Sequence, residues 1–366
     1  MDQKNSEEVF PIPHYDVFSK ESRFSRIAGV KSVLQYGSYA DCNTPCVSVI
    51  MPVYNRGDKF RESLLSVVHQ DYQFPYEIVV VDNYDKDDNS PNLEIVKEVG
   101  AKNIMYYRHE SNLGYNGNCN RGIELARAPY VTFCHDDDLF LPFALSRLME
   151  LQKKCGDKCI ISVYKTIDAD GNILNDACYP NFKNGPFLIQ KDYFRYTLWD
   201  QFLSSGGLLI GSLFNRNKLI AIGGFDEDYE PVTDYALQVS YTHYYGGIMN
   251  NIPIFKYRIG ENASMSLYTQ FASAHSRIQK IIARKLFVPN FLLNIIIKAH
   301  HNYVRCISEI TFGDGDESMI NELKWNERVI LKTYLLYRKL REYRIYGHVK
   351  TYKQLKKERL LEREKK

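Results

Sequence analysis

VSVIMPVYNRGDKFRESLLSVVHQ, residues 47–70, decides the fold class. VSVIMPV (47–53) is a near-continuous apolar, β-branched run, and FRESLLSVVHQ (60–70) carries apolar residues at helical spacing. A strand without polar alternation is one buried on both faces, as in parallel sheets covered by helices. The pattern then repeats. YEIVVVDN (76–83), NIMYYR (103–108) and YVTFCH (130–135) read as further buried strands, with GYNGNCNRGIELARA (114–128) as a helix between the last two. The first 150 residues therefore read as an α/β half of nucleotide-binding type.

Ligands of such sheets bind at the carboxyl ends of the strands. Polar residues gather at four of those ends: Tyr54-Asn55-Arg56, Asp82-Asn83, Asn112 to Asn120, and His135 to Asp138. In YVTFCHDDDLFLP (130–142) three adjacent carboxylates, Asp136, Asp137 and Asp138, close an apolar run. Partly buried, they repel one another unless a cation sits among them. The plainer alternative is a solvated acidic turn with Asp138 as helix cap. No GxxxxGK[ST] is present and no GxGxxG follows the first strand, so neither familiar phosphate cradle is available. A metal bridging phosphates would fill that gap, and hard oxygen ligands suit Mg2+ or Mn2+. An EF-hand placed on DNYDKDDNSPNLE fails, because Ser90 falls where glycine is required and Val96 where the bidentate glutamate belongs.

The 366 residues hold 45% apolar and 25% charged side chains, an ordinary globular mix, and 28 tyrosines mildly favour a polar organic ligand. A formal charge of +3 is too small to argue for nucleic acid, and no nucleic-acid partner is expected. Eight cysteines, at 42, 46, 119, 134, 155, 159, 178 and 306, lack zinc-site spacing and read as reduced thiols. The N-terminus shows no apolar signal region, and FVPNFLLNIII (287–297) is too short to span a bilayer, so the chain reads as cytoplasmic.

In the second half, LLIGSLFNRNKLIAIGGFDEDYEPVTDYALQVSY (208–241) is the most informative stretch. Gly223-Gly224 makes a tight turn, and Thr233-Asp234 opens a helical pattern. Asp234 is a candidate general base, with a simple helix cap as the alternative. Trp199 is a candidate stacking surface for an acceptor sugar, or core.

Taken in order, "VSVIMPVYNR", "IVVVDN", "NLGYNGNCNRGIELARAPYVTFCHDDDLFLP" and "GGFDE…TDYALQV" resemble the family 2 glycosyltransferases over roughly residues 46 to 245. The resemblance implies an inverting, nucleotide-sugar-dependent enzyme of the GT-A fold, with a mixed, mainly parallel central sheet. It implies that Pro52, Val53, Tyr54 and Asn55 frame the donor base, with Asp82 near its polar edge. Asn112, Gly114 and Asn120 would line nucleotide and sugar. Asp136 and Asp137 match the region holding ribose and metal, with Asp138 beside them, and Asp234 matches the base. Two departures stand out. His135 occupies the first acidic place of the usual Asp-x-Asp-Asp, which leaves Asp137 as the safest metal ligand. Thr233 replaces the usual Glu before Asp234.

The implied partners are a UDP-sugar and a saccharide or lipid-linked acceptor of surface polysaccharide synthesis. A sugar nucleotidyltransferase or a non-catalytic nucleotide-sugar-binding protein is the alternative. The expected organisation is an extension (1–45), a catalytic domain (46–268, divided near 150) and a C-terminal helical region (269–366). Apolar faces in residues 270–312 await either the catalytic domain or a second subunit, as in a homodimer. The stretch YRIGENASMSLY (257–268) reads as a lid whose Arg258, Ser264 and Ser266 reach for the diphosphate, or as a linker. The tail KTYKQLKKERLLEREKK, with eight basic and three acidic residues, suits peripheral contact with an anionic inner membrane face.

Overall fold

The computed structural model describes residues 16–40, 44–84, 90–178, 192–204, 207–259, 267–312 and 323–333. The first half runs β1 (Ser32–Tyr36), β2 (Val47–Val53), α1 (Asp58–Val68), β3 (Tyr76–Asp82), α2 (Pro91–Val99), β4 (Ile104–His109), α3 (Gly114–Leu125) and β5 (Tyr130–Phe133). The chain continues through β6 (Leu139–Phe140), α4 (Ala144–Cys155), β7 (Cys159–Ser162), β8 (Tyr164–Ile167), β9 (Ile173–Cys178) and β10 (Tyr193–Tyr196). There follow α5 (Leu198–Ser204), β11 (Leu213–Asn215), α6 (Arg216–Ala221), α7 (Thr233–Tyr245), β12 (Gly247–Asn250) and β13 (Phe255–Arg258). Helices α8 (Phe271–Ala283) and α9 (Asn290–Phe312) come last among the named elements.

Among the described residues, nine strands form one sheet in the order β1-β4-β3-β2-β5-β11-β7-β12-β10. Strands β4, β3, β2 and β5 run parallel, and β11 enters antiparallel between β5 and β7. A smaller sheet, β6-β13-β8-β9, stands beside it. The expected mixed, mainly parallel architecture is the one found.

Every residue of β2 is buried, because successive side chains feed two cores. Ile50, Val79, Val81 and Phe133 face one layer with Cys119 and Ile123 of α3. Val49, Met51, Val80 and Tyr106 face the other, under Phe60 and Leu64 of α1 and Leu145 and Leu148 of α4. Each such aliphatic side chain contributes about 1.5–3 kcal/mol on burial. Helix α3 lies so close to β2 that a Cβ on Gly122 would stand 2.3 Å from Ile50 Cγ2. That contact seats the start of α3 at the rim of the sheet.

The N-terminal extension is part of this body. Strand β1 pairs antiparallel with β4, and Arg23 forms a buried ion pair with Asp226 at 3.0 Å. At the other end, Ile278 and Ile282 of α8 and Leu293 and Ile297 of α9 share a third core with Phe202 of α5 and Tyr235 and Val239 of α7. The buried apolar residues of α8 and α9 thus pack on α5 and α7. The basic tail lies outside the described residues. Of the cysteines, 46, 119, 134, 155, 159 and 306 are free thiols, with four of these buried.

Candidate functional site

Parallel β2, β3 and β5 end on one side of the sheet, and short polar links join their ends there. The Tyr54 amide, just past β2, donates to Asp136 Oδ2 at 3.1 Å. Asn83, just past β3, accepts from the Leu113 amide at 3.0 Å and donates to Gly114 O at 2.9 Å. Ser63 of α1 donates to the His135 carbonyl at 2.6 Å, which anchors the loop after β5. The backbone turns sharply between these anchors: Asn55 has φ of +53°, a left-handed conformation that asparagine tolerates.

The three adjacent aspartates are held in three different ways. Asp136 Oδ1 lies 3.4 Å from Arg56 Nε, and Oδ2 takes the Tyr54 amide. Burial, followed by the neighbouring charge of Asp137, pushes its pKa up to about 7. Asp137 Oδ2 is 3.6 Å from the Arg56 guanidinium. Asp138 is fully buried and caps no helix, since α4 begins six residues later. Its Oδ1 accepts from the Arg258 amide at 2.8 Å, while Oδ2 makes no hydrogen bond and lies 3.3 Å from His135 Nδ1. Burial raises the Asp138 pKa, and His135 beside it offsets part of that rise.

Arg258, the last residue of β13, fixes this loop from the second sheet. Its Nε donates to the Asp137 carbonyl at 2.8 Å. The remaining guanidinium nitrogens reach the Ala169 carbonyl and Glu62, both at 2.7 Å. The lid expectation for 257–268 is corrected at this residue: Arg258 is 3% exposed and committed to the loop, not directed at an incoming diphosphate. Residues 260–266, with Ser264 and Ser266, lie outside the described residues.

Asp234 approaches the same loop from α7. It is the second residue of that helix, one turn-position past the cap, which is Val232 and makes no side-chain cap bond. Its Oδ1 accepts from the Tyr235 amide at 2.8 Å. Burial pushes its pKa up to about 6, partly opposed by that bond and by the charge of His135. The positive end of the α7 dipole also acts on it. Tyr115 of α3 completes the cluster: its hydroxyl is 3.0 Å from His135 Nε2, and it feels the charges of both Asp234 and Asp138.

Not every expected residue opens onto this cluster. Asp82 is fully buried and accepts from Ser90 Oγ at 2.6 Å, the Tyr84 amide at 2.8 Å, Asn92 Nδ2 and the Tyr106 hydroxyl. Asn120 spends its whole amide on the Phe225 backbone, at 2.7 and 2.9 Å. That grip explains the glycine before it, because a Cβ on Gly224 (φ +76°) would meet Asn120 Oδ1 at 2.4 Å. Pro52 is buried in the sheet opposite Val81, and Val53 lies in the α1-side core. Tyr54 is 41% exposed at the rim, and Asn112 accepts from the Gly114 amide at 2.8 Å. Trp199 stacks on Phe202 at 5.4 Å and packs on the third core. Arg56 and Tyr115 are cluster members without a sequence signal of their own, since only the fold brings them to the aspartates.

A divalent cation fits the donor set. One ligand atom each from His135, Asp137 and Asp138 lies within 4.8 Å of the others, and Asp138 Oδ2 is a buried oxygen with no donor.

Residues 48–222 match the family described as Glycosyl transferase family 2. That match takes in β2 through α6, from the first buried strand to the helix before Asp234. Among its relatives, an uncharacterized glycosyltransferase of Methanocaldococcus jannaschii is 31% identical over 158 residues, 42% of this chain and 52% of that protein. The GalNAc(5)-diNAcBac-PP-undecaprenol beta-1,3-glucosyltransferase of Campylobacter jejuni is 28% identical over 174 residues, 47% of this chain and 55% of its own. The chain thus spans about half the length of these curated relatives. In three dimensions it resembles S. aureus TarS 1-349 in complex with UDP-GlcNAc, with TM-score 0.53 and 17% identity over 79% of each chain. The mannosyltransferase PcManGT of Pyrobaculum calidifontis, solved with GDP-Man and Mn2+, gives 0.51 and 15% over 88% of each. The shared architecture is the GT-A fold.

Proposed function

We propose that the chain is an inverting glycosyltransferase that moves a sugar from a UDP-sugar to a saccharide or lipid-linked acceptor in surface polysaccharide synthesis. One juxtaposition supports this above all: a carboxylate with pKa about 6, Asp234, faces the same cluster as the Asp136–Asp138 loop. Two opposed needs are met there. Negative charge on a leaving diphosphate calls for a cation, which the loop after β5, with Asp137 foremost, would hold as Mn2+ or Mg2+. A divalent cation supplies Lewis-acid stabilisation of the departing phosphate.

This chain's own residues do the rest. Asp234 takes the acceptor hydroxyl proton, and a single in-line attack inverts the anomeric centre. A base with pKa about 6 is mostly ionised near neutral pH and still basic enough to accept that proton. Tyr54 and Asn55 stand at the rim for the donor base, Asn112 and Gly114 for the sugar. Asp82, Val53 and Asn120 act one layer back, setting the loops that do the binding. The basic tail adds peripheral contact with an anionic inner membrane face, where a lipid-linked acceptor would lie. Among the described residues no helix is long and apolar enough to cross a membrane.

The deciding experiment screens nucleotide sugars with purified protein and Mn2+. Release of a nucleoside diphosphate supports the reading, and release of pyrophosphate would mean a nucleotidyltransferase instead. No turnover of any donor, with or without acceptor saccharides, overturns it.

A further inference from the structure

The place usually acidic in this loop is filled by His135, and the geometry around it is that of a ligand. Its Nδ1 lies 3.3 Å from Asp138 Oδ2, a buried carboxylate oxygen that no other side chain or amide donates to. Two ligand atoms about 2.1 Å from one ion, at right angles, stand about 3.0 Å apart. One possible ligand atom of each of His135, Asp137 and Asp138 lies within 4.8 Å of those of the other two. On the far side of the ring, Nε2 is 3.0 Å from the Tyr115 hydroxyl. A proton on Nε2, donated to that oxygen, leaves the Nδ1 lone pair free to bind metal, the outer-shell arrangement by which proteins orient ligating histidines. Asp136 is engaged elsewhere: one oxygen faces Arg56 and the other takes the Tyr54 amide.

We infer that the cation of this loop takes His135 Nδ1, Asp137 and Asp138 as its protein ligands, with Asp136 outside the set. The Asp136 carboxylate instead orders the turn after β2. An imidazole in place of an oxygen ligand shifts preference away from Mg2+, which favours all-oxygen octahedra, towards Mn2+ and the metals beyond it. The inference deepens the donor-site reading, and relies on it only for the presence of a diphosphate beside the metal.

The test uses the whole chain with Mn2+ alone and with Mn2+ plus UDP or GDP. Binding is followed by loss of the free Mn2+ electron paramagnetic resonance signal, and nitrogen coordination by 14N modulation of the bound ion. The expected result is a 14N coupling in wild type that is absent in His135→Gln, with Mn2+ affinity lowered at least tenfold. Asp136→Asn is expected to change affinity less than about threefold and keep the coupling. His135→Asp, which puts a carboxylate oxygen in place of the ring nitrogen, should bind Mn2+ without the coupling and narrow the gap between Mn2+ and Mg2+. Bound Mn2+ without 14N coupling in wild type, or equal losses in His135→Gln and Asp136→Asn, overturns the inference. So does failure to bind Mn2+ under any of these conditions. Nucleotide binding measured in parallel separates the two ideas. UDP or GDP binding without nitrogen ligation sinks only the ligand set, and nitrogen ligation without nucleotide binding sinks only the donor reading.

Discussion

Two strands of the sheet, β3 and β5, which flank β2, lead into buried aspartates, and the two ends have opposite characters. At the end of β3, Asp82 meets Ser90, Asn92, Tyr106 and the Tyr84 amide, so every lone pair has a donor. In the loop after β5, Asp138 is equally buried, yet one of its oxygens meets only His135 Nδ1, at 3.3 Å. A saturated carboxylate is a structural knot; an under-donated one is a place where a cation lowers the free energy. The type of residue at a strand end therefore says little about its role. The number of donors around it says more.

The largest expected effect sharpens that contrast. Asp137→Ala should lower donor turnover by about a thousandfold, the several kcal/mol that a lost metal contribution represents. The melting temperature should hardly move, and full activity of wild type in excess chelator would contradict this. Asp234→Asn comes next: transfer should fall by about a hundredfold while nucleotide binding stays near wild type. The rate of wild type should also decline about tenfold per unit below pH 6, as Asp234 gains its proton, and that limb should vanish in the variant. Asp82→Ala tests the other strand end. It strands four donors and should cost about 3 kcal/mol of stability in denaturant melts. If Asp82→Ala instead left stability intact and abolished nucleotide binding, the two ends would be functionally alike.

The smallest effect has the opposite sign. The folded-state pKa of Asp234 is raised, so the folded chain binds more protons than the unfolded one between pH 3.8 and 6. Stability then falls as pH rises through that window, and the ionised form is the costly one above it. Asp234→Asn should accordingly be more stable than wild type at pH 8, by about 1–2 kcal/mol, and indistinguishable at pH 4. An equal or lower melting point at pH 8 would show that the carboxylate is better solvated than its burial implies.

The sheet was legible where its strands are buried on both faces, since VSVIMPV and YEIVVVD admit no polar alternation. Strand β1 was not, because SVLQY alternates at a sheet edge and is only five residues long. The aspartate loop and Asp234 were legible as candidates from residue type and order. What holds them was not. Arg258 reaches Asp138 across 120 residues of sequence, and no local pattern carries a contact of that range. Asp82 was read as facing the donor because its neighbours Ser90, Asn92 and Tyr106 give no sign in sequence that they converge on it.

The clasp of Arg258 on the aspartate loop also bears on how such enzymes can be recombined. A chimera that joins residues 1–150 of this chain to the remainder of a relative would keep the aspartates and discard the side chain that holds their backbone. The Asp137 carbonyl would lose a donor, and Glu62 its cation. A workable crossover must therefore carry β13 together with the loop after β5. Exchanges confined to segments after residue 258 leave the clasp in its original pairing.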